Sequence, residues 1–222
     1  MMKKISLLIL IIIGSCQTTV MKEEKNTSFY VGTYTNGNSK GIYKYQINTE
    51  GKLKEIGLMA TTINPTFLAK SKNNKLLFAV GETDEAGTGF IKSFKITKDS
   101  LIEISKEKSG GAGPCFVAVD SRNYILTANY GGGNIGLLKA DALGALKPLL
   151  YTQQHTGKGT TERQQAPHAH STWFHPVKDE IISIDLGTNN LWFSKIDTQK
   201  DEFIFTVQKK FKNGKKVLAQ DT

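Results

Sequence analysis

The sequence predicts an all-β fold, a β-propeller made of four-stranded antiparallel blades. From Phe29 onward, short apolar runs alternate with turn residues, and no helical periodicity follows the first residues of the chain. A pattern of strands recurs three times, beginning at Pro65, Pro114 and Pro167, which are 49 and 53 residues apart. Four strands in about fifty residues is the content of a propeller blade. A β-sandwich with chance similarity between hairpins is the alternative, and it explains the order and spacing of the repeats less well.

The first fifteen residues predict a lipoprotein signal peptide rather than a part of the fold. Lys3 and Lys4 precede an apolar run over residues 5–13, which is too short to span a membrane as a helix. The Gly-Ser-Cys that follows resembles the bacterial lipobox, so we expect Cys16 to be lipidated and to begin the mature protein. An ordinary secretory peptide with an incidental cysteine is the alternative.

Residues 16–28 are predicted to form a polar tether, so that lipid alone anchors the domain to the bacterial cell envelope. Removal of Lys3 and Lys4 with the leader lowers the formal charge from +9 by two, to +7. The remaining lysines are scattered, and the chain has no arginine-rich segment and no nucleic-acid-binding signature. We therefore expect an exported, lipid-anchored protein without a nucleic-acid partner.

Residues 29–222 are predicted to be a partial propeller. An incomplete first module supplies three strands, over residues 29–35, 41–47 and 53–60, and lacks the proline-containing first strand. Each of the three later modules supplies a proline-containing strand and three more. These three strands lie over residues 75–82, 89–96 and 101–106 in the second module, and over 124–130, 134–139 and 146–151 in the third. In the fourth module they lie over residues 180–187, 190–196 and 203–209. Because such an array leaves an open sheet at both ends, we expect the isolated chain to associate or aggregate.

Seven segments are similar to one known family. They are residues 30–35 (Tyr-Val-Gly-Thr-Tyr-Thr), 41–43 (Gly-Ile-Tyr), 78–82 (Phe-Ala-Val-Gly-Glu), 126–134 (Leu-Thr-Ala-Asn-Tyr-Gly-Gly-Gly-Asn), 163–164 (Arg-Gln), 167–171 (Pro-His-Ala-His-Ser) and 185–187 (Asp-Leu-Gly). In this order they resemble the seven-bladed propeller lactonases of the bacterial 6-phosphogluconolactonase type. The resemblance implies a hydrolase that opens a sugar lactone in carbohydrate metabolism without a cofactor. It also implies that about four of seven blades are present, with impaired activity in this truncated chain.

The candidate catalytic residues are His168, His170 and Asp185. Lactone opening needs water activated by a base and a donor that stabilises the oxyanion, and imidazole titrates near neutrality. The residues do not decide which histidine is the base, with His170 marginally favoured, and Asp185 is expected to orient one of the two rings. Candidate substrate-binding residues are Glu82, Asn129 and Tyr130 near the central channel and Arg163 on its rim loop. Glu82, Asn129, Asp185 and the two histidines are expected at comparable positions in successive modules.

Several alternatives stay open. The two histidines could serve only to seal a blade junction, and with Asp185 they could instead form a three-ligand metal site, which the resemblance does not support. Cys115 is interpreted as a small buried hydrophobe rather than a nucleophile, because it lies inside an apolar run. The competing function is a non-catalytic surface propeller that binds a glycan or a protein. Because phosphorylated sugars are mainly cytoplasmic, export argues against a phosphorylated substrate. The oligomeric state is left open.

Overall fold

The computed structural model describes residues 26–210, and these form antiparallel β-sheets. The predicted leader, Cys16 and most of the predicted tether lie outside the described residues. The first strand begins at Thr27, two residues before the predicted start of the propeller. Within residues 26–210, no helix is long and apolar enough to cross a membrane.

The described strands form four sheets, which are blades 1 to 4 of a partial propeller. Blade 1 has three strands: β1 (Thr27–Val31), β2 (Gly41–Ile47) and β3 (Leu53–Thr61). Blade 2 has four: β4 (Leu68–Lys70), β5 (Leu76–Glu85), β6 (Thr88–Ile96) and β7 (Leu101–Lys108). Blade 3 consists of β8 (Pro114–Val119), β9 (Tyr124–Asn129), β10 (Asn134–Lys139) and β11 (Tyr151–Gln154). Blade 4 consists of β12 (Ala169–Phe174), β13 (Ile181–Asp185), β14 (Asn190–Asp197) and β15 (Glu202–Lys210).

The predicted propeller and its three-stranded first module are confirmed, whereas one strand is displaced. The fourth strand of blade 3 was expected over residues 146–151, but β11 begins at Tyr151. The segment before β11 runs beside β10 and is joined to it by two isolated backbone hydrogen bonds, from Lys147 N to Lys139 O and from Leu150 N to Leu137 O. Pro148 lies between these donors and has no N–H, so a continuous ladder cannot form there.

Apolar side chains between successive blades build the core. One cluster joins blades 1 and 2 through Ile42, Leu77 and Phe94, and similar clusters join blades 2 and 3 and blades 3 and 4. Full burial of such a side chain contributes about 1.5–3 kcal/mol, so stacking of the sheets stabilises the array more than any one sheet does. The face of blade 4 that points away from blade 3 is only half-buried, although it is apolar; it includes Ile182, Ile184, Leu191 and Phe193.

The inner strand of each of blades 2 to 4 is its first strand, β4, β8 or β12. The pairing of these strands shows that the alignment of blade 4 with blade 3 in the sequence is wrong by two residues. The sequence matched Pro167 with Pro114, but Pro114 pairs with the last residue of β9 and Ala169 pairs with the last residue of β13. The structural equivalent of Pro114 is therefore Ala169, and that of Cys115 is His170. Each inner strand lies at a sheet edge, where proline is tolerated at more than one position, so proline marks the register of these strands only loosely.

Candidate active site

In blades 2 to 4, the inner strand begins at one end of the blade, and the second strand (β5, β9 or β13) ends there. We call this end the upper end. It contains Glu82, Tyr130 and Leu186. Tyr130 N donates to the carbonyl of Gly113, and Leu186 N donates to that of His168 in the same way. Glu82 N donates to Asn64 O, so Glu82, Tyr130 and Leu186 are equivalent positions of three blades. The matching inner-strand residues are Thr66, Cys115 and His170.

His168 is held against Tyr130 in one orientation. The imidazole and the phenol ring are stacked, with centroids 4.4 Å apart and planes 11° apart. Nδ1 of His168 lies 3.0 Å from the carbonyl oxygen of Tyr130. Because a carbonyl can only accept, Nδ1 carries the hydrogen and the neutral ring has its lone pair on Nε2. The structure thus brings two predicted site residues together and defines the tautomer of one.

His170 approaches the same tyrosine from another side. Its ring meets the Tyr130 ring edge-on, with centroids 6.1 Å apart and an angle of 83°. The side chain is exposed at the upper end, while its backbone carbonyl accepts a hydrogen bond from Cys115 Sγ at 3.4 Å. The two histidines therefore lie next to each other around Tyr130, which sequence analysis named only as a substrate-binding candidate.

Glu82 is a fixed carboxylate in the neighbouring blade. Oε1 accepts from the Tyr34 hydroxyl at 2.9 Å, and Oε2 accepts from Thr66 Oγ1 at 2.5 Å. Desolvation, together with this hydrogen bond and the negative charge of Glu82, raises the pKa of Tyr34 to about 12. Sequence reasoning did not name Tyr34 as a site residue, although the 30–35 segment contained the signal.

Cys115 lies between these groups but is a poor nucleophile. Burial first, and the negative charge of Glu82 next, raise the pKa of the thiol to about 12. A protonated thiol at neutral pH attacks carbonyl carbon slowly. This agrees with its interpretation as a packed residue, although the side chain is half-buried rather than fully enclosed.

Among the described residues, no hydrogen bond joins the Asp185 carboxylate to the ring of His168 or His170, so the prediction that it orients one of these rings directly was wrong. Its Oδ2 lies 2.7 Å from Nδ1 of His155, and Oδ1 accepts the backbone N–H groups of His168 and Thr188 at 3.1 and 2.8 Å. Burial alone raises the pKa of Asp185, but the bonds from His155 and from the two backbone groups outweigh it, and the pKa falls below its usual value.

His155 follows β11 and is a residue of the site that was not among the candidates named from the sequence. Its imidazole is fully buried and stacked on the Trp192 indole, with centroids 4.1 Å apart and planes 5° apart. The pairing of His155 with Asp185 joins residues 30 positions apart through the fold. Neither spacing nor periodicity in the sequence indicates such a contact.

Asn129 is a structural residue, so its predicted substrate contact was also wrong. The side chain is fully buried, and Nδ2 donates to Ser109 O at 3.2 Å and to Asn134 Oδ1 at 2.7 Å. In the corrected register Asn129 is equivalent to Asp185, one position before the residue that matches Glu82. The expectation that Glu82, Asn129 and Asp185 occupy comparable positions fails for the same reason.

Arg163 lies at the upper end on a short 3₁₀ helix, Glu162–Gln164, in the loop between β11 and β12. The arginine is exposed. The neighbouring Gln164 donates from Nε2 to Leu186 O at 2.6 Å and to Asn189 Oδ1 at 2.7 Å, which fixes the helix to the turn between β13 and β14. The loop is thereby tied to blade 4 rather than independent of it.

Within residues 26–210 no three His, Cys, Asp or Glu side chains come together in a way that could hold a metal ion.

A cleft of about 320 Å³ lies at the opposite end of the blades, on the turns that contain Arg122 and Asp179. It contains side chains of both charges and is separated from His168 by the length of the strands.

Comparison with known proteins shows the family to which the chain belongs. The family described as Lactonase, 7-bladed beta-propeller, matches residues 28–215. The 6-phosphogluconolactonase of Bacillus subtilis is 39% identical over 171 residues, which cover 75% of this chain and 48% of the relative. The chain thus spans about half the length of the curated relatives it matches.

Solved structures show the same architecture. A candidate 6-phosphogluconolactonase of Bacteroides fragilis superimposes with a TM-score of 0.77 at 30% identity, covering 84% of this chain and 55% of that one. The periplasmic gluconolactonase of Pseudomonas aeruginosa superimposes with a TM-score of 0.74 at 25% identity, covering 82% and 56%. The four described blades therefore correspond to somewhat more than half of such a propeller.

Proposed function

Because the chain belongs to the lactonase family of seven-bladed β-propellers, we propose that the intact protein hydrolyses the ring ester of a sugar lactone. The observation that supports this most is the state of His168. Its Nδ1–H is committed to the carbonyl of Tyr130, which leaves Nε2 as a proton acceptor at the upper end. A neutral imidazole of fixed tautomer is the group that base-catalysed ester hydrolysis requires.

The chemistry follows from the positions of the two histidines. Nε2 of His168 removes a proton from water as the water oxygen forms a bond to the lactone carbonyl carbon. The bond from that carbon to the ring oxygen then breaks, and the proton passes to the ring oxygen, which leaves as a hydroxyl. His170 is exposed beside the same tyrosine and is placed to donate a hydrogen bond to the tetrahedral oxyanion.

We propose a gluconolactone-type substrate, whose hydroxyl groups suit Glu82. A carboxylate accepts hydrogen bonds from sugar hydroxyls and repels phosphate, so any phosphate would bind elsewhere, with Arg163 as the candidate among the described residues. The B. subtilis relative is named for a phosphorylated lactone and the P. aeruginosa structure for an unphosphorylated one in the periplasm. The proposed lipid anchor at Cys16 favours the second, because it places the domain outside the cytoplasm.

Lactone hydrolysis can be followed by the acid released, on gluconolactone and on 6-phosphogluconolactone, with spontaneous opening subtracted. We expect catalysis by the intact protein, with a loss of about 10²–10⁴-fold in its variant His168→Ala/His170→Ala. His175→Ala is the matched control, because His175 lies in the turn at the opposite end of blade 4. No hydrolysis of either lactone, or equal hydrolysis by all three proteins, would leave a non-catalytic propeller that binds a glycan or a protein as the better description.

A further inference from the structure

We infer that His155 is a positioning residue, which fixes the His168 imidazole by holding Asp185 at the joint between blades 3 and 4. This inference rests on the proposed function, because it assigns a role at the same site. His155 is too deeply buried to contact a substrate, and its influence must pass through Asp185.

The His155 ring has one rigid arrangement. Its backbone N–H donates to Gly133 O at 3.1 Å, and its imidazole lies flat on the Trp192 indole. Nδ1 donates to the Asp185 carboxylate, because an ionised carboxylate can only accept. Among the described residues, Nε2 has no hydrogen-bond partner. A fully buried imidazole with one polar contact contributes chiefly through that contact.

Asp185 transmits this arrangement to His168. Its Oδ1 accepts the His168 backbone N–H at 3.1 Å, and the carbonyl of His168 accepts Leu186 N–H at 2.9 Å. The backbone of His168 is thus held by blade 4, whereas its ring is held by Tyr130 of blade 3. A change in the angle between the two blades would move the ring away from its partner.

The joint between blades 2 and 3 serves as an internal comparison. Ser109 N donates to Gly89 O as His155 N donates to Gly133 O, so Ser109 is the equivalent of His155 at the joint of blades 2 and 3. There the contact is made between neutral groups, because Asn129 Nδ2 donates to the carbonyl of Ser109. The buried imidazole–carboxylate contact lies at the joint that supports the candidate base.

The test compares His155→Leu with His155→Asn, whose amide nitrogen can take the place of Nδ1. Ser109→Ala is the control at the equivalent joint, and circular dichroism confirms folding. The readouts are the nitrogen-15 spectrum of the His168 ring, assigned with His168→Ala, and lactone kinetics. We expect His155→Leu to change the His168 signals and to lower kcat on the order of 10²-fold with KM little altered. His155→Asn is expected to restore both.

Unchanged His168 signals in a folded His155→Leu protein would overturn the inference, as would His155→Asn and His155→Leu being impaired equally. If His155→Leu does not fold, Asp185→Asn replaces it, since that variant keeps the shape and loses the charge. If neither lactone is hydrolysed, the proposed function fails. The nitrogen-15 spectrum of His168 still shows whether His155 positions the His168 ring.

Discussion

The His155 imidazole and the Asp185 carboxylate meet across the joint between blades 3 and 4, with Nδ1 2.7 Å from Oδ2 and neither side chain exposed. Asp185 also accepts two backbone N–H groups, so its charge is stabilised by three donors. This contact makes Asp185 part of the framework beneath the histidines rather than a group that faces substrate.

The depressed pKa of Asp185 predicts a loss of stability in acid. Its ordinary value is 3.8 and its value in the fold is lower, so the unfolded chain binds the proton more readily. The contribution of Asp185 is therefore complete above pH 3.8 and is lost as the pH falls through the lower, folded value. Urea unfolding, followed by tryptophan fluorescence from pH 6 to 2.5, should show this decline, and Asp185→Asn should flatten it. Asp99→Asn, in an exposed turn, is the control and should leave the decline unchanged.

Removal of the Asn129 side chain is expected to lower stability without affecting substrate affinity directly. Asn129→Ala leaves Asn134 Oδ1 without its donor and leaves the buried Ser109 carbonyl with the Thr127 hydroxyl alone, at a cost of about 1–3 kcal/mol in the free energy of unfolding. Asn38→Ala, on an exposed loop, should cost nothing measurable. A raised KM with unchanged stability in Asn129→Ala would instead restore its earlier assignment to substrate binding.

Cys115 should react slowly with thiol reagents. With its pKa raised to about 12, the thiolate fraction at pH 8 is about 10³-fold below that of an unperturbed thiol. In residues 17–222 it is the single cysteine, so iodoacetamide labelling followed by mass spectrometry reports on it alone. The native protein should label slowly and the guanidinium-unfolded chain at the ordinary rate. Rapid labelling of the native protein would mean that the thiol is more exposed and more acidic than its surroundings imply.

Residues 17–222, expressed alone, are expected to associate through the half-buried apolar face of blade 4. Ile182→Thr/Ile184→Thr should reduce the mass measured by light scattering after size exclusion, because both side chains lie on that face. Val177→Thr is the control, since Val177 is exposed in a turn away from it. A monomer that melts in one sharp transition would show instead that four blades close by themselves.

Much of the fold could be predicted from sequence because each blade repeats a strand pattern and its turns. Proline and glycine positions located the blades, and the three strands that blade 1 has within residues 26–210 match the three strands expected for the first module, which lacks a proline-containing strand. The register of the inner strand of blade 4 could not be predicted, because Pro167 lies two residues before the structural equivalent of Pro114. Edge strands accept proline at either position.

The site was predictable where residues lie at strand ends that recur from blade to blade, and unpredictable where the loop after β11 supplies a residue. His168, His170 and Tyr130 come from two motifs that end at the same end of adjacent blades, and they do meet. The contact of His155 with Asp185 depends on how the end of β11 packs on the next blade. Such a contact leaves no periodic signal in a single sequence.

The measurement that tests the central claim most directly is chemical rescue of His168→Ala in gluconolactone hydrolysis. If Nε2 of His168 is the base, His168→Ala should lose about 10²–10⁴-fold in kcat, and added imidazole should restore part of the rate in proportion to its neutral form. His170→Ala should lose less and should not be rescued in this way. Full activity of His168→Ala, or a rescue confined to His170→Ala, would contradict the assignment of the base.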